Sequence, residues 1–314
     1  MEDRVRDIAI VGGGPAGLTA GIYVSRARLD GVLLEKEAPG GAPALTERIE
    51  NYPGFPEGIS GFELVDRMRR QAEKFGLEIV SFNPVNGLRD EGGLKVLETD
   101  GGEVRARAVI LAAGMRPASL GVPGEKEFHG RGVSYCATCD GAFFKDAVVA
   151  VVGGGNSAVE EALFLTRFAR KVVLVHRRDR LRASRILQER ILGHPKVEIA
   201  WKKVVVEIKG GEKVEGVVLE DVESGDREEV EVQGVFLYVG NIPNTEMVRG
   251  VLELDERGFV VVDSSLHTGL EGVYAAGDVR SGAVWQVAAA VGDGVRAAVE
   301  AQRYVEEMKG IAYK

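Results

Sequence analysis

The chain has 314 residues, 45% of them hydrophobic and 28% charged, the proportions of a folded globular protein rather than a disordered or fibrous one. Its 40 basic against 48 acidic residues give a net charge of −8, which argues against nucleic acid as a partner. Glycine, at 42 residues, is in excess without a collagen-like period, so the fold must contain many tight backbone turns. No apolar run reaches the roughly 20 residues that span a bilayer. The charged start Met1-Glu2-Asp3-Arg4-Val5-Arg6-Asp7 leads straight into a strand-like run. The expectation is a soluble cytoplasmic protein with no membrane partner and no signal peptide.

The first predicted unit begins with Ile8-Ala9-Ile10-Val11, a short β-branched run ending in Gly12-Gly13-Gly14-Pro15-Ala16-Gly17. A helical pattern then carries Leu18, Ile22 and Val24 toward Arg28. In a strand–turn–helix of this kind the glycines close the turn and let backbone approach a pyrophosphate, and the helix N-terminus offers unpaired N–H groups to it. A second run, Gly31-Val32-Leu33-Leu34, ends at Glu35, 18 residues after Gly17. An acid at about this distance is the expected partner of a ribose 2′-hydroxyl.

The pattern returns 141 positions later: Val149-Ala150-Val151-Val152, then Gly153-Gly154-Gly155-Asn156-Ser157-Ala158, an amphipathic helix through Arg167, and Lys171-Val172-Val173-Leu174-Val175. Gly12 maps to Gly153, Gly14 to Gly155 and Gly17 to Ala158. Glu35 maps to His176, which opens His176-Arg177-Arg178 with Arg182 following. A carboxylate accepts from a free ribose hydroxyl and repels a 2′-phosphate, whereas guanidinium forks bind phosphate oxygens. The first unit should therefore hold FAD or NAD and the second NADPH.

Val109 to Gly114 leads to Pro117, and Val235 to Gly240 leads to Pro243, both apolar strands ending in Gly with a proline three residues on. These read as crossings between domains. The expected fold class is α/β: two Rossmann-like dinucleotide-binding domains, with residues 118–243 inserted into a discontinuous domain of 1–117 and 244–314.

The only cysteines, Cys136 and Cys139, stand as Cys136-Ala137-Thr138-Cys139-Asp140 in the inserted segment. Zinc needs four ligands, and His129, His176, His194 and His267 offer no paired spacing, so no metal is assigned. The redox reading needs two bridgeable sulfurs, which C-x-x-C at a helix start supplies. Asp140 can then serve as proton donor and acceptor or act as an ordinary helix N-terminal acid.

The run Gly132-Val133-Ser134-Tyr135-Cys136-Ala137-Thr138-Cys139-Asp140-Gly141-Ala142-Phe143-Phe144 resembles the redox motif of low-molecular-weight thioredoxin reductases. Glu50-Asn51-Tyr52-Pro53-Gly54-Phe55, His176-Arg177-Arg178-Asp179 and Ala275-Ala276-Gly277-Asp278-Val279 are similar to further blocks of that family. The resemblance runs nearly end to end. It implies a homodimer with FAD in the discontinuous domain, NADPH in the inserted one, and thioredoxin or a thioredoxin/glutaredoxin-like protein as electron acceptor.

By resemblance, Gly12, Gly14, Gly17 and Glu35 hold the FAD adenosine and pyrophosphate, Asn51 lies by the flavin, Asp278 binds the ribityl or phosphate region, and Gln286 lies along the isoalloxazine. Pro15, Ala16, Lys36, Gly40, Gly41, Ala113, Gly114, Gly277 and Val287 complete the FAD set. Gly153, Gly155, Asn156, Ser157 and His176 join Arg177, Arg178 and Arg182 around NADPH. Cys139 is the flavin-proximal sulfur, Cys136 attacks the acceptor disulfide, and Asp140 moves the proton. Two positions depart from the family: Ala42 replaces a common Gln after Gly40-Gly41, and Trp285 replaces an Arg before Gln286, exchanging a cation for a large ring able to stack on an aromatic surface, with core packing at a helix start as the plain alternative. Nicotinamide site and cysteines share one domain and the flavin occupies the other, so the inserted domain is expected to rotate between half-reactions about Arg116–Ala118 and Ile242–Thr245. Rival readings are a ferredoxin- or flavodoxin-NADP reductase, disfavoured by the C-x-x-C, a reductase serving a peroxiredoxin system, and a flavin-bound redox sensor.

Overall fold

Alternation at period two sets the first strand. In β1 (Val5–Val11), Ile8 and Ile10 enter one hydrophobic cluster while Ala9 and Val11 enter another, so both faces of the strand are buried, as parallel sheets require. The computed structural model describes residues 4–312, and Met1, Glu2 and Asp3 of the charged start lie outside the described residues. From β1 the chain turns into α1 (Pro15–Arg26) and returns as β2 (Gly31–Leu34). Helix α1 stops short of Arg28, which takes the left-handed conformation at φ +59°. Next come α2 (Gly61–Lys74), capped by the Ser60 side chain accepting from the Glu63 N–H, and β3 (Glu78–Val80). The strands β4 (Val85–Glu91), β5 (Leu94–Thr99) and β6 (Gly102–Leu111) follow, and β7 (Met115–Pro117) leads out of the unit.

The second unit runs through β8 (Val133–Ser134), α3 (Ala137–Asp140), β9 (Val148–Gly153), α4 (Asn156–Leu165), β10 (Lys171–His176), α5 (Arg185–Leu192) and β11 (Val197–Trp201). Helix α4 ends two residues before the expected Arg167, where Thr166 caps it and turns its hydroxyl onto the Leu163 carbonyl. Strands β12 (Lys203–Gly210), β13 (Val214–Asp221) and β14 (Arg227–Glu231) form an antiparallel three-stranded sheet. Strand β15 (Gly234–Tyr238) returns to the parallel sheet, whose order is β11-β10-β9-β15-β8. The chain leaves by β16 (Asn241–Pro243), which pairs with β7, and closes the first unit with β17 (Val273–Ala275) and the long α6 (Val287–Met308).

In the first sheet, of order β3-β2-β1-β6-β5-β4, the strands β3, β2, β1 and β6 run parallel. Strand β6 pairs along its first half with antiparallel β5 and along its last three residues with parallel β17. Helices α1 and α6 lie against each other so closely that a Cβ on Gly294 would stand 2.3 Å from the Ala16 carbonyl oxygen. The compact units divide as Met1–Arg116 with Ile242–Lys314, and Pro117–Asn241. Those divisions fall one and two residues ahead of the boundaries expected from the prolines, because the paired crossing strands β7 and β16 straddle them.

Candidate active and cofactor sites

The first glycine turn is built by contact rather than by side chains. Gly12 has φ +105°, and a Cβ there would meet the Ala112 carbonyl oxygen at 2.3 Å, while one on Gly17 would meet the Gly12 oxygen at 1.9 Å. Both crowded positions draw strand, turn and helix together. Pro15 opens α1 with its missing N–H at a position where none is needed, and no side chain caps the helix, so its first N–H groups face the turn. Glu35 is buried at the end of β2. Its Oε2 accepts from the Gly13 N–H at 2.6 Å and its Oε1 from the Glu37 N–H at 2.9 Å, which clamps the carboxylate against the turn. Lys36 points outward to Glu37 at 3.6 Å.

Gly40 donates its N–H to the Gly13 oxygen at 2.8 Å, and a Cβ on Gly41 would come within 3.0 Å of the Gly14 Cα. Two bare backbones therefore face each other beside the N-terminus of α1. Ala42 follows as the exposed first residue of a 3-10 turn. Ala113 and Gly114 close the end of β6, their carbonyls held by the Asn244 side chain at 2.8 Å and the Asn244 N–H at 3.0 Å. Gly277 packs on Ala16 and donates to Asp293, and burial together with Asp293 lifts the Asp278 carboxyl to about 6. Gln286 precedes Val287 at the start of α6, and its Oε1 accepts from Asn51 Nδ2 at 2.8 Å. The ends of β1, β2 and β6 thus converge with the N-termini of α1 and α6 on a glycine-lined cradle with one fixed carboxylate, a set that fits a dinucleotide.

The second turn repeats the plan with different chemistry. Gly153 has φ +154° and its Cβ would meet the Tyr238 oxygen at 2.6 Å, whereas a Cβ on Gly155 would meet nothing within 4 Å. Room for a ligand backbone lies in front of Gly155. Asn156 begins α4 with its Oδ1 accepting from the Ser184 N–H at 2.8 Å, and Ser157 is exposed beside it. The Arg182 N–H donates to the Gly154 oxygen at 2.7 Å, which straps the basic loop onto the turn. His176 is buried under Gly154, with Nε2 at 3.0 Å from the Arg180 carbonyl. Burial, helped by the nearby Arg182 and Arg178 charges, holds its pKa below the ordinary value. Arg177, Arg178 and Arg182 are exposed and make no ion pair among the described residues. By contrast, Arg4, Arg6, Arg67, Arg69, Arg70 and Arg89 all face carboxylates.

Cys136 and Cys139 form a disulfide with their Cα atoms 5.3 Å apart. Cys136 is the N-cap of α3, and its Sγ accepts from the Cys139 N–H at 3.2 Å. Cys139 is exposed and Cys136 half-buried. Three residues that spacing does not single out hold this site. Ser134 donates to Asp140 Oδ2 at 2.6 Å and accepts from the Cys136 N–H at 3.0 Å. Tyr238 accepts from the Ala137 N–H at 2.9 Å, its phenol pushed upward in pKa by burial and by Glu161. Glu125, buried, takes the Tyr135 hydroxyl at 2.6 Å and the Leu120 and Gly121 N–H groups. Ser134 stands inside the redox-motif run and Tyr238 inside the apolar strand that ends at Gly240, but nothing in either run marks their contacts, which are made across a turn or from another strand, and Glu125 lies in no motif. Trp285 takes the stacking role rather than the core one: it is 41% exposed and stacked on Phe259 at 5.9 Å, with Arg257 over both rings at 5.1 and 5.5 Å.

The chain is similar to the thioredoxin reductase of Bacillus subtilis (strain 168), 47% identical over 309 residues that cover 98% of this chain and 97% of that one. The thioredoxin reductase of Mycolicibacterium smegmatis is 46% identical over 307 residues, 98% of each chain. Among solved structures, thioredoxin reductase of Lactococcus lactis superposes with a TM-score of 0.94 at 43% identity, covering 96% of this chain and 99% of that one. The family described as pyridine nucleotide-disulphide oxidoreductase matches residues 6–294. With a redox disulfide and two dinucleotide cradles in one chain, and a family match over most of its length, the protein belongs to the pyridine nucleotide-disulphide oxidoreductases.

Proposed function

We propose that the chain is an NADPH-dependent thioredoxin reductase, with FAD on the first cradle, NADPH on the second, and thioredoxin as the protein acceptor. The observation that carries this reading is the Cys136–Cys139 disulfide at the start of α3, in a chain whose two glycine turns end in opposite charges. When bound, the two cofactors supply a hydride equivalent, so that NADPH, one proton and a disulfide become NADP⁺ and a dithiol.

In the first unit, the open N-terminus of α1 and the Gly12–Gly14 backbone bind the pyrophosphate, and Glu35 accepts from a ribose hydroxyl. Asn51 and Gln286, bonded to each other, orient the flavin edge. In the second unit, Gly153, Gly155 and Ser157 take the pyrophosphate end. Arg177, Arg178 and Arg182, with no carboxylate among the described residues to satisfy them, take the 2′-phosphate and so select NADPH over NADH.

At the cysteines, reduction breaks the Cys136–Cys139 bond. Negative charge on Cys136 is favoured by the Cys139 N–H aimed at its sulfur, so Cys136 is the nucleophile. Its thiolate attacks one sulfur of the acceptor disulfide, forms a mixed disulfide and releases the other acceptor sulfur as a thiolate. Asp140, oriented by Ser134, gives a proton to the released acceptor thiolate and regains one from the Cys139 thiol as that sulfur turns nucleophile. Cys139 then attacks the Cys136 sulfur, restores the intramolecular disulfide and frees the reduced acceptor. Cys139 faces the flavin in the other half-reaction, and rotation of residues 118–243 about the crossings alternates the two. The homodimer and the cytoplasmic setting carry over from the family resemblance.

Anaerobic titration tests the reading. NADPH should bleach the flavin far faster than NADH, and in Cys139→Ser reduction should stop at the flavin with no acceptor turnover. Bleaching by neither nucleotide would instead favour a flavin-bound sensor. A cross-link fixing the two domains should abolish turnover while sparing one half-reaction; full turnover in that protein refutes the rotation.

A further inference from the structure

Just past the end of β3, one residue combines two unfavourable features that no contact among the described residues offsets. Phe82 lies in the left-handed region at φ +55°, where a Cβ is disfavoured. Its ring is 76% exposed and belongs to none of the four hydrophobic clusters. Strain of this kind in an otherwise regular sheet collects at ligand sites.

Its surroundings identify the ligand. The Glu35 N–H donates to the Val80 carbonyl at 2.9 Å, the Asn83 N–H to the Glu35 carbonyl at 2.9 Å, and the Phe82 N–H to the Glu37 carbonyl at 3.4 Å. Residues 80–83 therefore run alongside 35–37. The Glu35 carboxylate turns back to the glycine turn at Gly13, while Phe82 stands beside Glu37, two residues beyond it. In an adenine dinucleotide the order of groups is pyrophosphate, ribose, adenine. With pyrophosphate at the turn and ribose on Glu35, the base comes next, on the Phe82 side.

We propose that the Phe82 ring is the stacking surface for the adenine of the dinucleotide held by the first glycine turn. This rests on the reading of that turn as the FAD site. A flat purine covers the exposed ring, and the left-handed backbone is what presents that ring outward rather than into the sheet.

FMN carries the same isoalloxazine without adenosine, and NADPH carries adenine at the other turn, so the three ligands separate the sources. Flavin-stripped protein is titrated with FAD and with FMN, and the holoenzyme with NADPH. Phe82→Ala should weaken FAD by about 5- to 140-fold, the range that one stacked base contributes, and leave FMN and NADPH unchanged. Phe82→Trp should keep FAD affinity. Phe82→Gly removes ring and strain together, so its apoprotein should melt no lower than wild type while FAD binding falls as in Phe82→Ala, which separates ligand loss from misfolding. Unchanged FAD affinity, equal weakening of FAD and FMN, or weakening of NADPH alone would overturn the proposal. A wild-type chain that binds FAD no more tightly than FMN, or binds neither, would show before any variant is made that the FAD reading has failed, and the proposal would fall with it.

Discussion

The two glycine turns of this chain start from nearly the same sequence and solve different binding problems. In the first, the acid at the end of the second strand is buried and doubly hydrogen-bonded against the turn. In the second, the matching position holds a buried His176, and the charge has moved outward to arginines that find no carboxylate among the described residues. On the proposed reading, the turn supplies generic pyrophosphate binding while the strand end reads the ribose. The difference also shows in the packing. Gly17 is required because a Cβ there would strike the Gly12 oxygen, whereas Ala158 is accepted at the equivalent place, its Cβ filling space beside Gly153.

The strongest way to break the comparison is to place a methyl group on each turn. Gly12→Ala puts a Cβ 2.3 Å from the Ala112 oxygen at φ +105° and should cost about 3 kcal/mol or more in denaturant unfolding. Gly155→Ala meets no protein atom within 4 Å, so stability should hold while NADPH affinity falls by about 5- to 150-fold, as expected for an overpacked ligand contact. Equal destabilisation by both would erase the distinction.

Next in size is Arg177→Ala with Arg178→Ala. Losing two charge-assisted bonds should weaken NADPH by about 10²-fold or more and leave NADH unchanged, read from the ratio of kcat/KM values. Asp278 sharpens the first unit instead. Its carboxyl is raised from 3.8 to about 6 by burial and by Asp293, so its contribution to stability is complete below 3.8 and is lost as pH rises through about 6. Asp278→Asn should therefore stabilise the flavin-free protein by about 3 kcal/mol at pH 8 and little at pH 4, measured by urea unfolding.

The smallest effect belongs to His176, whose pKa is held below the ordinary value by burial and then by Arg182 and Arg178. The unfolded chain takes up the proton first, so stability present above pH ~6.5 should decline as pH falls through that value toward the lower folded one. His176→Gln should flatten this slope in pH-dependent melting.

Much of this protein follows from its sequence by itself. Strand–turn–helix units, their spacing and the acid-to-basic exchange at positions 35 and 176 depend on local backbone sterics and on charge, and both are written in consecutive residues. The cysteine pair is equally local, since four residues at a helix start suffice to bring two sulfurs together. Tertiary structure alone decided which groups support them. Tyr238 reaches Ala137 from another strand, Asn51 meets Gln286 across 235 residues, and the backbone around Phe82 is hydrogen-bonded alongside Glu35 to Glu37 from a different strand. Such contacts are made by chain segments that only the packed sheets bring together, and no periodicity in the sequence encodes where those segments meet.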